Sequence, residues 1–196
     1  MTNQPDLFTN VHKGIRSALF ETCIALGRAP DDEVPAAIRA QLRDVLHFIR
    51  HHGENEDVLL LPMLATSAPA AHARMREAHA AIEALMRTLD RHVDRGSATE
   101  LYHRTCELTA RYLDHLNEEE LELEPQIRAA LSADQLEQVG RGSLARTSPA
   151  DARVMLAWML PAMQPADASA LMARLPAELQ RELRPLIAVA GSGVRS

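Results

Sequence analysis

His52-Gly-Glu-Asn-Glu56, with Pro62 six residues further on, and His115-Leu-Asn-Glu-Glu119, with Pro125 six residues further on, are two copies of one pattern, H-x-x-x-E-x5-P. On a helix, positions i and i+4 lie one turn apart on the same side, so each histidine and its glutamate can reach a common point. The stripe through the first copy reads Val45, Phe48, Ile49, His52, Glu56, Leu59, Leu60, Met63, which is apolar apart from those two residues. The stripe through the second reads Leu101, Leu108, Tyr112, His115, Leu116, Glu119, Leu123, Ile127. Both pairs therefore face a core. The neighbouring stripe Arg43, Asp44, His47, Arg50, His51, Glu54 reads as a solvated face, which sets His47 and His51 aside.

Upstream of each copy stands another histidine in similar company, Val11-His12-Lys-Gly-Ile15 and Ala78-His79-Ala-Ala-Ile82. Two helical hairpins are duplicated. The apolar periodicity predicts four long amphipathic helices: A over Asp6 to Leu26, B over Val34 to Leu64, C from Ser67 or Pro69 to about Asp94, and D from after Ser97 through Leu131. Gly27-Arg-Ala-Pro30 and Asp94-Arg-Gly96 supply stop signals. His12 falls on the apolar stripe of helix A, and His79 on that of helix C with His72, Met75, Ile82 and Met86. The expected fold is an all-α, up-down four-helix bundle.

All nine histidines precede residue 116, and the charge changes from net −7 over residues 1–130 to +1 over 131–196. A boundary near 131 separates the bundle from a C-terminal helical extension. Its helices start at Ser132-Ala-Asp-Gln135 and Ser148-Pro-Ala-Asp151, with Pro161, Pro165, Pro176 and Pro185 limiting each to a few turns. Gly191–Ser196 reads as a frayed end. Met155, Met159 and Met163 form a stripe that can pack on the chain's own bundle or, as the minority reading, dock a protein partner.

With 46% hydrophobic and 24% charged residues the chain is globular, and 3% aromatic residues argue against a β sandwich. A formal charge of −6 leaves no excess of positive charge for nucleic acid. The longest apolar run, Val154 to Met163, has 10 residues, about half the ~20 needed to cross a bilayer. The N-terminus lacks a basic start and an apolar centre, so the expected location is cytoplasmic. Cys23 and Cys106, 83 positions apart, read as reduced thiols.

A lone histidine on an apolar face is ordinarily a hydrogen-bonded core residue. Four imidazoles converging with two buried carboxylates are different, because uncompensated buried carboxylates cost several kcal/mol and need positive charge beside them. A pair of divalent metal ions supplies it. Imidazole with carboxylate and no thiolate suits Fe, Zn, Mn or Ni.

The set His12, His52-x-x-x-Glu56, His79, His115-x-x-x-Glu119 resembles the hemerythrin-like (HHE cation-binding) domains over roughly residues 8–130. The resemblance implies a non-heme di-iron centre in which Glu56 and Glu119 bridge two iron ions, the four histidines are terminal ligands and an oxide or hydroxide completes the bridge. It also implies a small diatomic ligand, oxygen or nitric oxide. The oxygen carriers have a second histidine one turn before the His79 position, where this chain has Met75. By ligand count, four histidines, two bridging carboxylates and a bridging oxide fill ten of about twelve positions. His72, Glu83, Tyr112 or water can fill the gap. The carriers also have an aspartate five residues after the last histidine, where this chain has Glu120; Glu119 lies better on the inward stripe and is the expected ligand.

The expected function is reversible binding or sensing of oxygen or nitric oxide. Two alternatives stand beside it: a di-iron enzyme that turns over peroxide or oxygen, and a metal-stabilised helical interaction module.

Overall fold

The computed structural model describes residues 7–190, with side chains through 185; Asp6 and Gly191–Ser196 lie outside the described residues. Those residues form ten α-helices and one π-helical turn, with no strand among them. Helix α1 (Thr9–Arg28) is helix A; α2 (Ala36–Leu59) and α3 (Leu61–Ser67) cover helix B; α4 (Pro69–His92) is helix C. Helix D is α5 (Ala98–Glu118), the π-turn Glu119–Leu123, and α6 (Glu124–Ala130). Packing of α1 on α2, α2 on α4, α4 on α5 and α5 on α1 closes the up-down four-helix bundle.

The periodicity predicts continuous helices B and D, yet helix B breaks four residues after Glu56 and helix D passes into the π-turn at Glu119 itself. Proline has no N–H to give back and its ring crowds the carbonyl four residues earlier. Ahead of Pro62 the break falls at Leu60. Ahead of Pro125 the register slips, and the Glu124 N–H reaches the Glu119 carbonyl five residues back. Such π-turns are rare and favour functional sites.

The core divides at the level of the histidines and glutamates of the two motifs. One apolar cluster holds Ile15, Leu19, Phe48, Ile49, Ile82, Met86, Leu108 and Tyr112. A second holds Phe8, Leu60, Leu61, Leu64, Met75, Leu123 and Ile127. Along each helix the histidine falls between a member of one cluster and a member of the other, so the polar layer is sandwiched between two apolar ones.

Beyond the bundle follow α7 (Ala133–Arg146), α8 (Pro149–Ala162), α9 (Pro165–Ala173) and α10 (Ala177–Ala190). Ser132 and Ser148 each close a capping box, with Gln135 and Asp151 respectively. Pro161 and Pro185 lie within helices instead of ending them, Pro161 in the last turn of α8. Helix α8 lies along α1. Met155 joins the bundle core, while Leu156, Leu160 and Met163 pack with α9 and α10. A Cβ at Gly14 would stand 2.7 Å from the Met159 Cγ and 2.9 Å from its Cα, so this crossing requires glycine.

The face carrying His47 and His51 is partly covered by this extension. His47 Nε2 lies 2.8 Å from Asp151 Oδ1, and His51 Nε2 lies 3.1 Å from Thr147 Oγ1. The Arg146 Nε donates to Asn55 Oδ1 at 2.9 Å, tying the end of α7 to the first motif. No helix among the described residues is long and apolar enough to cross a membrane.

Candidate metal centre

Each of the four bundle helices turns one histidine into the polar layer, α1 giving His12, α2 His52, α4 His79 and α5 His115. Glu56 comes from the last turn of α2 and Glu119 from the first residue of the π-turn. The donors fall into two groups, His12, His52, Glu56, Glu119 and His79, His115, Glu56, Glu119, within each of which the chosen donor atoms all lie within 4.8 Å of one another. The structure thus brings all six expected residues together.

The two glutamates divide their oxygens between the groups. Glu56 Oε1 lies 3.3 Å from His52 Nε2, and its Oε2 lies 3.4 Å from His79 Nε2. Glu119 Oε2 lies 3.4 Å from His12 Nε2, and its Oε1 lies 3.2 Å from His115 Nε2. The halves also match in ring geometry: His12 with His52 and His79 with His115 each meet edge to face at 5.0 Å between centroids. His12 Nε2 and His52 Nε2 approach to 3.1 Å. Two nitrogens on one ion at bonds of ~2.1 Å and a right angle stand ~3.0 Å apart, so the spacing suits a shared cation.

All four carboxylate oxygens and the Nε2 of His79 are buried without a hydrogen-bond partner among the described residues. Orphaned buried carboxylates are costly, and a metal ion is the partner this donor set fits.

Behind the inward nitrogens stand two more acids. His12 Nδ1 donates to Glu120 Oε1 at 2.8 Å, and Arg16 holds Glu120 through bonds of 2.7 and 3.0 Å. His79 Nδ1 donates to Asp57 Oδ1 at 2.7 Å. Each bond holds a proton on Nδ1 and turns Nε2 toward the cluster, the usual arrangement behind a metal-binding histidine. Asp57 is a residue that the reading of the sequence missed. The signal was present, because an acid directly follows the glutamate in both motif copies, Glu56-Asp57 and Glu119-Glu120. Each acid grips the histidine of a neighbouring helix, α2 gripping α4 and the π-turn gripping α1.

Charge is distributed unevenly across the layer. Burial pushes His52 down to about 4 and His115 down to about 3. Burial opposes a charge on His79 as well, but Asp57, Glu119 and Glu56 outweigh it and draw it up to about 12. Burial would raise Glu56, yet the imidazoles around it, His52 foremost, hold it at about 2. Glu119 goes the other way, up to about 8, through its own burial and the nearby charge of Glu56. Two close carboxylates separated in this way share too little positive charge for both to ionise.

Of the residues considered for the Met75 side, neither His72 nor Glu83 belongs to either donor group among the described residues. Met75 is buried in the apolar cluster with Leu60 and Leu123. Tyr112 packs edge-on against His115 at 5.6 Å. Glu83 pairs with Arg50 at 3.5 Å, and His72 lines a surface hollow with Arg76 and Pro62.

The two halves differ in access. Phe8 stacks on His12 at 5.2 Å and is itself buried, sealing that end. A cavity of about 230 Å³, lined by Ile49, Gly53, Ile82, Met86 and Tyr112, reaches His79 and His115 instead. Arg50 stands at its rim, paired with Asp90 at 2.8 Å.

The hemerythrin HHE cation-binding domain model matches residues 4–127. Neither a curated protein nor a solved structure gives a significant match. The matched span holds both motif copies and the bundle from α1 into the first turn of α6, and with it the chain belongs to the hemerythrin HHE cation-binding domain family.

Proposed function

We propose that the protein holds two iron ions between its two histidine pairs, with Glu56 and Glu119 each bridging them, and that it binds or senses oxygen or nitric oxide there. The division of each glutamate's oxygens between His12/His52 and His79/His115 carries this reading. A paired non-heme iron centre supplies a position at which a diatomic molecule binds reversibly. Asp57 and Glu120 hold two of the imidazoles with Nε2 inward, and the apolar clusters above and below exclude bulk water.

Ligand entry is assigned to the His79/His115 half. The cavity opens there, whereas Phe8 closes the other end. Met75 supplies a buried thioether where the carriers have imidazole, so this half offers two histidines and two carboxylate oxygens, the same number as its counterpart.

The test is metal analysis of protein from iron-supplemented medium, with absorption spectra before and after reduction and under nitric oxide. About two irons per chain and charge-transfer bands that bleach on reduction support the proposal. Zinc alone, or no metal, overturns it. The same opening favours a second reading as an enzyme acting on peroxide, distinguished by sustained hydrogen peroxide turnover that is lost in Glu56→Gln.

A further inference from the structure

Cys23 on α1 and Cys106 on α5 are 83 residues apart in the chain, yet their sulfurs lie 3.8 Å apart in the fold. Both are free thiols and both are partly exposed. Thr109 Oγ1 lies 3.4 Å from the Cys23 sulfur, and Tyr102 stands one turn before Cys106 on the same helix. We propose that this pair is a redox site, closed by hydrogen peroxide into a disulfide that joins α1 to α5. The proposal does not depend on the metal reading.

Forming the ~2.05 Å bond from 3.8 Å needs an approach of about 1.8 Å, which side-chain torsions and a small helix shift supply. The sulfur of one cysteine attacks a peroxide oxygen, the O–O bond breaks, and a sulfenic acid and water result. The second sulfur then attacks the first, the S–O bond breaks, and the hydroxide leaves as water with the second thiol's proton. Two thiols are oxidised by two electrons and one peroxide is reduced to two waters. Burial pushes the Cys23 thiol up to about 11, which leaves it little thiolate at neutral pH; whichever sulfur attacks first, the 3.8 Å separation places the other to resolve the sulfenic acid.

The bond has a structural consequence. It closes a segment that contains α2, α3 and α4, with His52, Glu56 and His79, and it locks together the helices that carry His12 and His115.

The experiment is exposure of the purified protein to hydrogen peroxide, followed by thiol counting in denaturant, intact mass and non-reducing electrophoresis. Expected are a fall from two titratable thiols to none, a loss of about 2 Da, migration as a monomer, reversal by dithiothreitol, and a Tm higher by roughly 5–10 °C in the oxidised form. In Cys23→Ser or Cys106→Ser a sulfenic acid has no resolving partner, so a dimedone adduct forms in at least one of the two variants and neither gains an intramolecular disulfide. Persistence of both thiols under peroxide, a disulfide between chains, or no labelling in either variant overturns the proposal.

Discussion

Replacing Glu120 by Gln removes one negative charge while keeping the side chain's size. Glu120 accepts from His12 Nδ1 at 2.8 Å and is clamped by Arg16, with only a quarter of its side chain exposed. Charge-assisted bonds of this kind are about twice as strong as neutral ones, and losing the partner behind a metal-binding histidine costs roughly 10–100-fold in affinity. The amide makes matters worse, because its NH₂ can donate to Nδ1 and drive the ring proton onto Nε2, which then cannot bind metal. Glu120→Gln is therefore expected near the upper limit, about 100-fold, which is ~2.7 kcal/mol. Asp57→Asn disturbs the equivalent bond to His79, but Asp57 is 49% exposed and solvent screens it, so about 10-fold is expected. The assay is anaerobic titration of metal-free protein with Fe(II) against a chromophoric chelator, with circular dichroism checking the fold. If both variants bind within twofold of wild type, Asp57 and Glu120 do not position their histidines for metal.

Three further outcomes follow from other parts of the molecule. Between pH 6.5 and 4.5 an unfolded chain takes up protons at His52, His115 and, in part, His51 that the folded metal-free protein refuses, while folded Glu119 keeps one that the unfolded chain releases. The net difference reaches one proton near the middle of that window, so stability falls there by ~1.4 kcal/mol per unit as pH drops, and urea unfolding at pH 6.5 and 5 should show the loss and not a gain. A Cβ at Gly53 meets nothing within 4 Å and projects beside the cavity; Gly53→Leu is expected to slow azide or nitric oxide binding at least 10-fold with metal content unchanged, as stopped-flow spectroscopy would register. Gly14→Ala drives a methyl into Met159, backbone included, and should cost ~1–3 kcal/mol in chemical denaturation; an unchanged midpoint would mean that α8 does not dock on α1 as described.

The helices, their inward faces and the six converging side chains were legible because each depends on local periodicity. His52 with Glu56 and His115 with Glu119 need only the pitch of one helix to be placed together. What periodicity could not show was the behaviour of the chain at Pro62 and Pro125. One proline ends a helix at Leu60 and the other produces a π-turn, and both outcomes depend on packing across the bundle. The turn matters for the site, since it lets Glu119 face the cluster while Glu120 faces His12. Asp57 escaped notice because its partner is on another helix, and an exposed acid on a charged face looks like any other. Cys23 and Cys106 looked unrelated for the same reason. The face of His47 and His51 reads as solvated because nothing in helix B announces that Thr147 and Asp151 come to rest on it.

The claim on which the account rests is that Glu56 and Glu119 join two metal ions in one centre. X-ray absorption on the iron-loaded protein, with iron quantified per chain, tests it most directly. A centre bridged by both glutamates should give about two irons per chain and a metal–metal scattering shell at roughly 3–4 Å, both lost in Glu119→Gln. One iron per chain with no metal–metal shell would contradict it.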